Sequence, residues 1–161
     1  MSVWTHVAGI LRLNLNQGDR LTDEELIEIV KNTLGVTLPR NIGDLETEVG
    51  QKLWDEFEAS EHKVPCGAEG SLQYDIALTY DAHSTSRVVV TIWGDLRGVG
   101  YIDMPSIERW LKKSLRRWTL EPRALGWSSA QLTIMPEDWT PVYFIGMFLE
   151  GSRTVMLKQL K

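Results

Sequence analysis

The chain has 161 residues, a formal net charge of −5 and one cysteine. Its length fits a single domain over residues 1–161, and its hydrophobic share of 43% and charged share of 24% are those of a soluble globular protein. The negative charge argues against general nucleic-acid binding, a lone cysteine cannot close a disulfide within the chain, and no apolar run approaches the ~20 residues of a membrane span. The N-terminus lacks the basic and apolar regions of a signal peptide, so we expect a cytoplasmic protein with no membrane partner.

The first predicted element is a strand over residues 3–15, because side chains of different character alternate along it. Val7 and Leu11 share one face, and His6 and Arg12 share the other. Gly9 in the middle of this strand predicts a bulge or the close approach of another backbone.

The clearest helix is predicted over residues 21–35. Thr22 can cap the first turn, while Glu25, three residues on, can reach back to the cap amide. Gly35 is expected to end the helix in the left-handed conformation. The helix shows one apolar stripe at helical spacing. That stripe comprises Leu26, Ile29, Val30, Thr33 and Leu34.

Residues 44–61 form an acidic segment with seven acids and one lysine, a local charge of −6. Apolar residues recur there every four positions, which predicts a second, amphipathic helix. Gly50 lies within it and costs about 1 kcal/mol relative to alanine. The apolar stripe comprises Leu45, Val49, Leu53 and Phe57.

The next two segments are predicted to form a hairpin of strands. Residues 72–81 alternate between apolar and polar, whereas residues 87–94 are apolar on both faces. A basic helix is then predicted over 103–118, with Asp103 as its cap and Pro105 in its first turn. The chain ends in three predicted short strands, over 131–135, 141–149 and 153–160.

This order of elements predicts an α+β domain built on a mainly antiparallel sheet with its helices on one face. It follows the ferredoxin-like βαββαβ plan, with the acidic helix inserted and extra C-terminal strands. Seven tryptophans are the one compositional excess. We expect most of them in the core and one or two at an interface.

The predicted basic helix carries the most directional surface feature. Residues 108–123 hold six bases and two acids, a local charge of +4. Two interpretations stay open: a solvated face, including one that lies against the acidic segment 44–61, and a surface that binds a partner or a nucleic acid. The candidates for partner binding are Arg109, Lys112, Lys113, Arg116 and Arg117.

The segment PCGAEGS, residues 65–71, holds the single cysteine between a proline and two glycines. It can be a plain turn before a strand, a backbone-amide site for an anion, or a loop with a nucleophilic thiol. A nucleophile would need an imidazole such as that of His62 in reach, and we expect Cys66 to be a small buried residue instead. The candidates for the anion site are Cys66, Gly67, Gly70, Ser71 and, as the countercharge, Arg97.

Metal and cofactor chemistry is not expected. No pair of histidines has the spacing of metal ligands, the acidic segment lacks the order of a calcium loop, and no serine stands in Gly-x-Ser-x-Gly. Because no recognisable catalytic set is present, we expect a binding protein in preference to an enzyme.

Three segments, WTHVAGILRLN, PCGAEGSLQY and WGDLRGVGYIDMPSIERWL, resemble small accessory proteins of bacteriophages and prophages. The resemblance implies a non-virion protein in the cytosol of an infected bacterium, where such proteins often bind a host or defence factor. We therefore expect a non-catalytic binding protein that interferes with a bacterial host protein or sequesters a small anionic ligand. The alternatives are a nucleotide-binding sponge that uses the turn 66–71 and a small enzyme centred on Cys66. Homodimerisation through a sheet face also stays open.

Overall fold

The computed structural model describes residues 4–16, 21–38, 47–67, 69–80, 85–98, 104–122, 124–137, 143–150 and 153–160. These residues contain three helices and six strands. The helices are α1 (Asp23–Leu34), α2 (Glu48–Ala59) and α3 (Met104–Leu120). The strands are β1 (Trp4–Asn16), β2 (Gln73–Tyr80), β3 (Thr85–Arg97), β4 (Ala124–Pro136), β5 (Tyr143–Glu150) and β6 (Arg153–Leu160).

The strands form one sheet in the order β2-β3-β1-β4-β5-β6, and every neighbouring pair is antiparallel. Strand β1 lies inside the sheet, where Val7 is opposite Gly94 of β3 and Ile134 of β4. The prediction of an α+β fold with an antiparallel sheet is confirmed. Membership of the ferredoxin-like fold family stays a prediction.

One face of the sheet carries the core. In β1, Leu11 and Leu13 are buried whereas Ile10 and Arg12 are exposed, so the alternation seen in the sequence separates a buried face from an open one. Residues of α1 and α3 belong to the same buried cluster as the inward residues of the sheet, which places these two helices on that face. The helical members of the cluster are Leu26, Val30, Leu34, Ile107, Trp110, Leu111, Leu115 and Trp118.

The start of α1 has the predicted capping box. The backbone N–H of Glu25 donates to the Thr22 hydroxyl at 3.2 Å, and the Thr22 N–H donates to the Glu25 carboxylate at 2.8 Å. Two of the N–H groups that a helix start leaves unpaired are therefore satisfied. At the other end, Gly35 has φ 95° and ψ 174°, so its φ is positive as expected but its ψ lies outside the left-handed helical region.

Helix α2 is less buried than the predicted stripe implies. Phe57 is buried, but Val49 and Leu53 are 70% and 42% exposed. Leu45 lies outside the described residues, as do Asp103 and Trp139. None of the three described helices combines the length and the apolar composition that a membrane crossing requires.

The tryptophans divide between the core and the surface. Trp110, Trp118 and Trp127 are buried, which is half of the six described tryptophans and fewer than the expected majority. Trp93 is 36% exposed on the open face of the sheet, where its indole N–H donates to the Asp75 carboxylate at 3.1 Å. Of the two apolar faces predicted for residues 87–94, one is therefore buried in the core, and the other, which includes Trp93, lies on the open face of the sheet.

Gly9 confirms the predicted close approach of another backbone. It lies opposite Leu132 in the β1–β4 pair, and a Cβ added to it would overlap the carbonyl oxygen of Gln131 and the side chain of Leu132. Only a residue without a side chain fits at this point of the sheet.

We predict that Gly9→Ala lowers the free energy of unfolding by about 1–3 kcal/mol, because the neighbouring strand must shift to admit the methyl group. Urea denaturation followed by circular dichroism measures the change. The matched control is Ala8→Ser on the exposed side of the same strand, expected within about 0.5 kcal/mol of the wild type. A Gly9→Ala variant as stable as this control would contradict the assigned contact.

Candidate functional site

A cavity of about 540 Å³ lies where the C-terminal end of α1, the segment 60–62, β2 and α3 meet. Most of its lining residues are polar, with two cationic side chains and several amide and hydroxyl groups, although apolar atoms contribute about as much of the wall as polar ones. The residues that matter for its chemistry are Lys31, Asn32, Gln73, Tyr74, His62 and Arg117.

The chain reversal after α1 forms one wall of the cavity. The Gly35 N–H donates to the Lys31 carbonyl at 2.9 Å and closes the helix. The chain then runs parallel to residues 62–64, since the Val36 N–H donates to the His62 carbonyl at 3.0 Å and the Val64 N–H donates to the Val36 carbonyl at 2.9 Å. A Cβ on Gly35 would lie 2.5 Å from the His62 carbonyl oxygen, so this close approach requires glycine.

His62 holds the inner wall in place. Its Nε2 lies 3.0 Å from the hydroxyl of Ser114 on α3, and its ring also hydrogen-bonds the backbone of Thr33 on α1. Burial, together with the nearby positive charges of Arg117 and Lys113, lowers the pKa of His62 to about 4. The imidazole is therefore neutral near pH 7 and joins two helices.

Lys31 and Arg117 give the cavity its positive character. Both line it, from α1 and from α3, and neither has an ion-pair partner within the described part of the chain. Arg117 also lies close enough to His62 for its charge to lower the pKa of that imidazole. Glu61 contributes the one carboxylate of the described lining, next to the carbonyl that accepts a hydrogen bond from Lys113 at 3.0 Å.

Uncharged donors and acceptors complete the lining. The Tyr74 hydroxyl donates to the Gly35 carbonyl at 3.4 Å, and burial raises the pKa of Tyr74 to about 12, so the phenol stays protonated. The Gln73 amide donates to the Ser71 hydroxyl at 2.7 Å and to the Leu38 carbonyl at 3.4 Å. Its side-chain oxygen is left as an acceptor.

The segment 65–71 is a tight turn packed against the end of β3. Cys66 and Ser71 form an antiparallel bridge, and the Gly67 N–H donates to the Gly70 carbonyl at 3.0 Å. Gly70 has φ 76°, and a Cβ there would overlap the Asp95 carbonyl oxygen. The interpretation as the turn that launches the next strand agrees with this geometry.

Arg97, the predicted countercharge, is brought to this turn but pairs with the turn itself. Its guanidinium donates to the Glu69 carboxylate, and its backbone N–H donates to the Glu69 carbonyl at 2.8 Å. The ion pair lowers the pKa of Glu69 and raises that of Arg97. An anion bound at the turn would compete with this carboxylate, and the predicted anion site stays a prediction.

Cys66 is exposed, so the expectation of a buried cysteine is wrong. Desolvation nevertheless raises the pKa of its thiol, which leaves it less reactive than a free thiol near neutral pH. His62, the imidazole nearest in sequence, is held by Ser114 and the Thr33 backbone. The described geometry therefore does not activate Cys66 as a nucleophile.

The predicted partner-binding side chains all lie on the exposed side of α3: Arg109, Lys112, Lys113, Arg116 and Arg117. Lys112 pairs with Glu108 of the same helix at 2.8 Å. No ion pair joins α2 to α3 among the residues that the structure describes. The acidic segment, as far as it is described, therefore does not neutralise the basic face.

One polar cluster was not predicted. On the open face of the sheet, His6 Nδ1 lies 2.6 Å from an Asp95 carboxylate oxygen and Nε2 lies 3.1 Å from one of Glu137. Both hydrogen bonds raise the pKa of His6. The partners are 89 and 131 residues away, and only the strand register, which places His6 opposite Asp95, brings them together.

No group of three or more histidine, cysteine, aspartate or glutamate side chains among the described residues could hold a metal ion. In the comparisons with known proteins, no family model, no curated protein and no solved structure matched the chain. The geometry of the cavity is therefore the basis for assigning a function to this site.

We predict that His62 makes the folded protein less stable in acid. The unfolded imidazole titrates near 6.5 and the folded one near 4, so between these values the unfolded state binds more protons and stability falls as the pH falls. Between pH 7 and pH 5 the loss is about 1–2 kcal/mol. Urea denaturation of the wild type and of His62→Gln at pH 7, 6 and 5 measures this loss in the free energy of unfolding. The variant should lose less stability in acid, because it has no imidazole at position 62.

The matched control for that experiment is His6→Gln. The raised pKa of His6 means that its contribution is fully present below pH 6.5 and is lost as the pH rises through the folded pKa, the opposite sign to His62. Removal of His6 should therefore steepen the loss in acid. If the free energy of unfolding of His62→Gln changed with pH in the same way as that of the wild type, a buried neutral imidazole at position 62 would be contradicted.

We predict that Cys66 is alkylated slowly in spite of its exposure, because desolvation disfavours its thiolate. Iodoacetamide labelling at pH 7.5, followed by mass spectrometry, should be at least about threefold slower in the folded chain than in the same chain in urea. Faster labelling of the folded chain would indicate an activated thiol and support the enzyme hypothesis.

Proposed function

We propose that this protein is a non-catalytic binding protein that holds a small anionic ligand, bearing a phosphate or a carboxylate, in the cavity between α1, residues 60–62, β2 and α3. The observation that carries the proposal is the convergence of Lys31 and Arg117 on one cavity without an ion-pair partner among the described residues. Two cations that face the same space repel each other, and an anion between them removes that repulsion.

The size and the lining of the cavity support this ligand class. About 540 Å³ lies within the ~300–1,000 Å³ of ordinary small-molecule sites. An arginine matches the two oxygens of a carboxylate or a phosphate, and a lysine adds a point charge. The Asn32 and Gln73 amides and the Thr37 hydroxyl can hydrogen-bond the uncharged part of a polar ligand.

The chemistry of the lining supports binding without catalysis. A general acid or base works best when its pKa lies near the working pH. His62 titrates at about 4 and Tyr74 at about 12, and both hydrogen-bond partners of His62 belong to the protein. Among the described lining residues these groups hold the wall and do not exchange protons with a ligand near pH 7.

The cavity is a better candidate than the turn 66–71 for the predicted small ligand. At the turn, Glu69 already occupies the Arg97 guanidinium, whereas Arg117 in the cavity has no such partner within the described residues. A nucleotide sponge remains compatible with the cavity, since nucleotides carry both a phosphate and hydrogen-bonding bases. The resemblance to phage accessory proteins suggests sequestration in the cytosol of an infected bacterium as the setting, and interference with a host protein as the second candidate.

The test is a thermal-shift panel of nucleoside monophosphates, cyclic nucleotides and small carboxylates, with inorganic phosphate as the plain-anion control. Since only the native state binds, a ligand at about 100-fold excess over Kd should raise Tm by about 5–10 °C. Lys31→Gln and Arg117→Gln should each weaken binding by about tenfold or more, because each removes a charged hydrogen-bond donor.

Two matched variants make this test specific. Arg109→Gln removes the same charge from the exposed side of α3 outside the cavity lining and should leave the shift unchanged. Arg97→Gln should also leave it unchanged if the cavity is the site. A shift that Arg97→Gln abolishes and Arg117→Gln preserves would instead place the ligand at the turn, and no shift across the panel would contradict small-anion binding.

A further inference from the structure

Helix α2 exposes an apolar strip that nothing in the described structure covers. Phe57 in this strip is 2% exposed, whereas Val49 and Leu53, two turns and one turn before it, are 70% and 42% exposed. Residues four apart lie on the same side of a helix, so these three side chains form one continuous strip. Such an amphipathic helix of 12 residues gains little from propensity alone and needs apolar contacts to be stable.

Charge surrounds this strip. Helix α2 carries four acids and one lysine, and Glu56 lies beside Val49 and Leu53 by helical position. Opposite in sign, the exposed side of α3 carries four bases outside the cavity lining, and Leu120 near its end is 73% exposed. The four bases are Arg109, Lys112, Lys113 and Arg116. Arg116 and Leu120 are four residues apart and therefore share one face of α3.

The two surfaces are neighbours on the same molecule. Glu61 follows the end of α2, and its backbone carbonyl accepts a hydrogen bond from Lys113 of α3 at 3.0 Å. They do not satisfy each other within the chain, because no ion pair joins α2 to α3 among the described residues. The C-terminal end of the acidic helix α2 thus leads to a segment that contacts the basic helix α3.

We propose that these two surfaces bind a second copy of the chain, with α2 of each copy on the exposed side of α3 of the other. Two adjacent surfaces of opposite charge become self-complementary under a two-fold rotation, which is the commonest symmetry of soluble oligomers. Val49 and Leu53 would pack on Leu120 and on the aliphatic stems of the partner's arginines and lysines, while acidic and basic groups pair around them. The proposal is independent of the ligand proposed for the cavity.

Sedimentation velocity of the full chain, at about 10–300 μM and in about 0.05 and 0.5 M NaCl, tests the proposal, because salt screens exposed charges beyond a few ångströms. We expect a monomer–dimer equilibrium whose Kd rises by about tenfold or more in the higher salt. A wild-type chain that is monomeric at every concentration in low salt overturns the proposal. The α2 strip would then be a contact surface for a different protein.

Charge-reversal variants distinguish binding of a second copy from binding of any other partner. Glu56→Arg and Arg116→Glu should each weaken the dimer by about tenfold or more, since each places like charges together. The double variant, Glu56→Arg with Arg116→Glu, restores opposite charges between copies and should recover dimerisation. Failure of the double variant to recover, with folding verified by circular dichroism, overturns the paired arrangement.

The matched control is Glu28→Arg, the same acid-to-base change at an exposed position of α1. It should leave the Kd within about twofold of the wild type. Leu53→Asp tests the apolar component separately, and it should abolish the dimer at every salt concentration. A dimer that survives Leu53→Asp also overturns the proposal.

Discussion

The arrangement of the whole molecule depends on the pairing of β1 with strands on both of its edges. Because β3 and β4 fix its register on either side, the alternation of its side chains separates a buried face from an open face across the sheet. Leu11 and Leu13 meet α1 and α3 on the buried side. On the open side the same register brings His6 to Asp95 and Glu137. A slip of one residue would exchange the two faces.

The cavity follows from how α1 and α3 are held on that buried face. His62 contributes to this, because its Nε2 lies 3.0 Å from the Ser114 hydroxyl of α3 and its ring also contacts the Thr33 backbone of α1. Burial and the nearby cations keep the His62 imidazole neutral near pH 7, so it adds no charge, and the positive character of the cavity comes from Lys31 and Arg117. The same group that shapes the wall therefore also couples stability to pH.

Local patterns were enough to predict the elements but not the site. The capping box of Thr22 and Glu25 and the apolar stripe of α1 depend on residues a few positions apart, and the structure confirms both predictions. The cavity joins side chains from residues 31 to 117, and no periodicity reports such distant contacts. The exposure of Cys66 was missed for the same reason: composition favours a buried thiol, but the turn is placed by its contacts with β3.

Binding of a small anion between Lys31 and Arg117 can be tested directly by an ¹H–¹⁵N NMR titration. The titrant is the anion that gives the largest thermal shift. The largest, saturable chemical-shift changes should fall on the Gly35 and Val36 amides and the Arg117 side chain, all at the cavity. Changes confined to the Gly67 amide and the Arg97 side chain, with the cavity signals unchanged, would show that the anion binds at the turn 66–71 and not in the cavity.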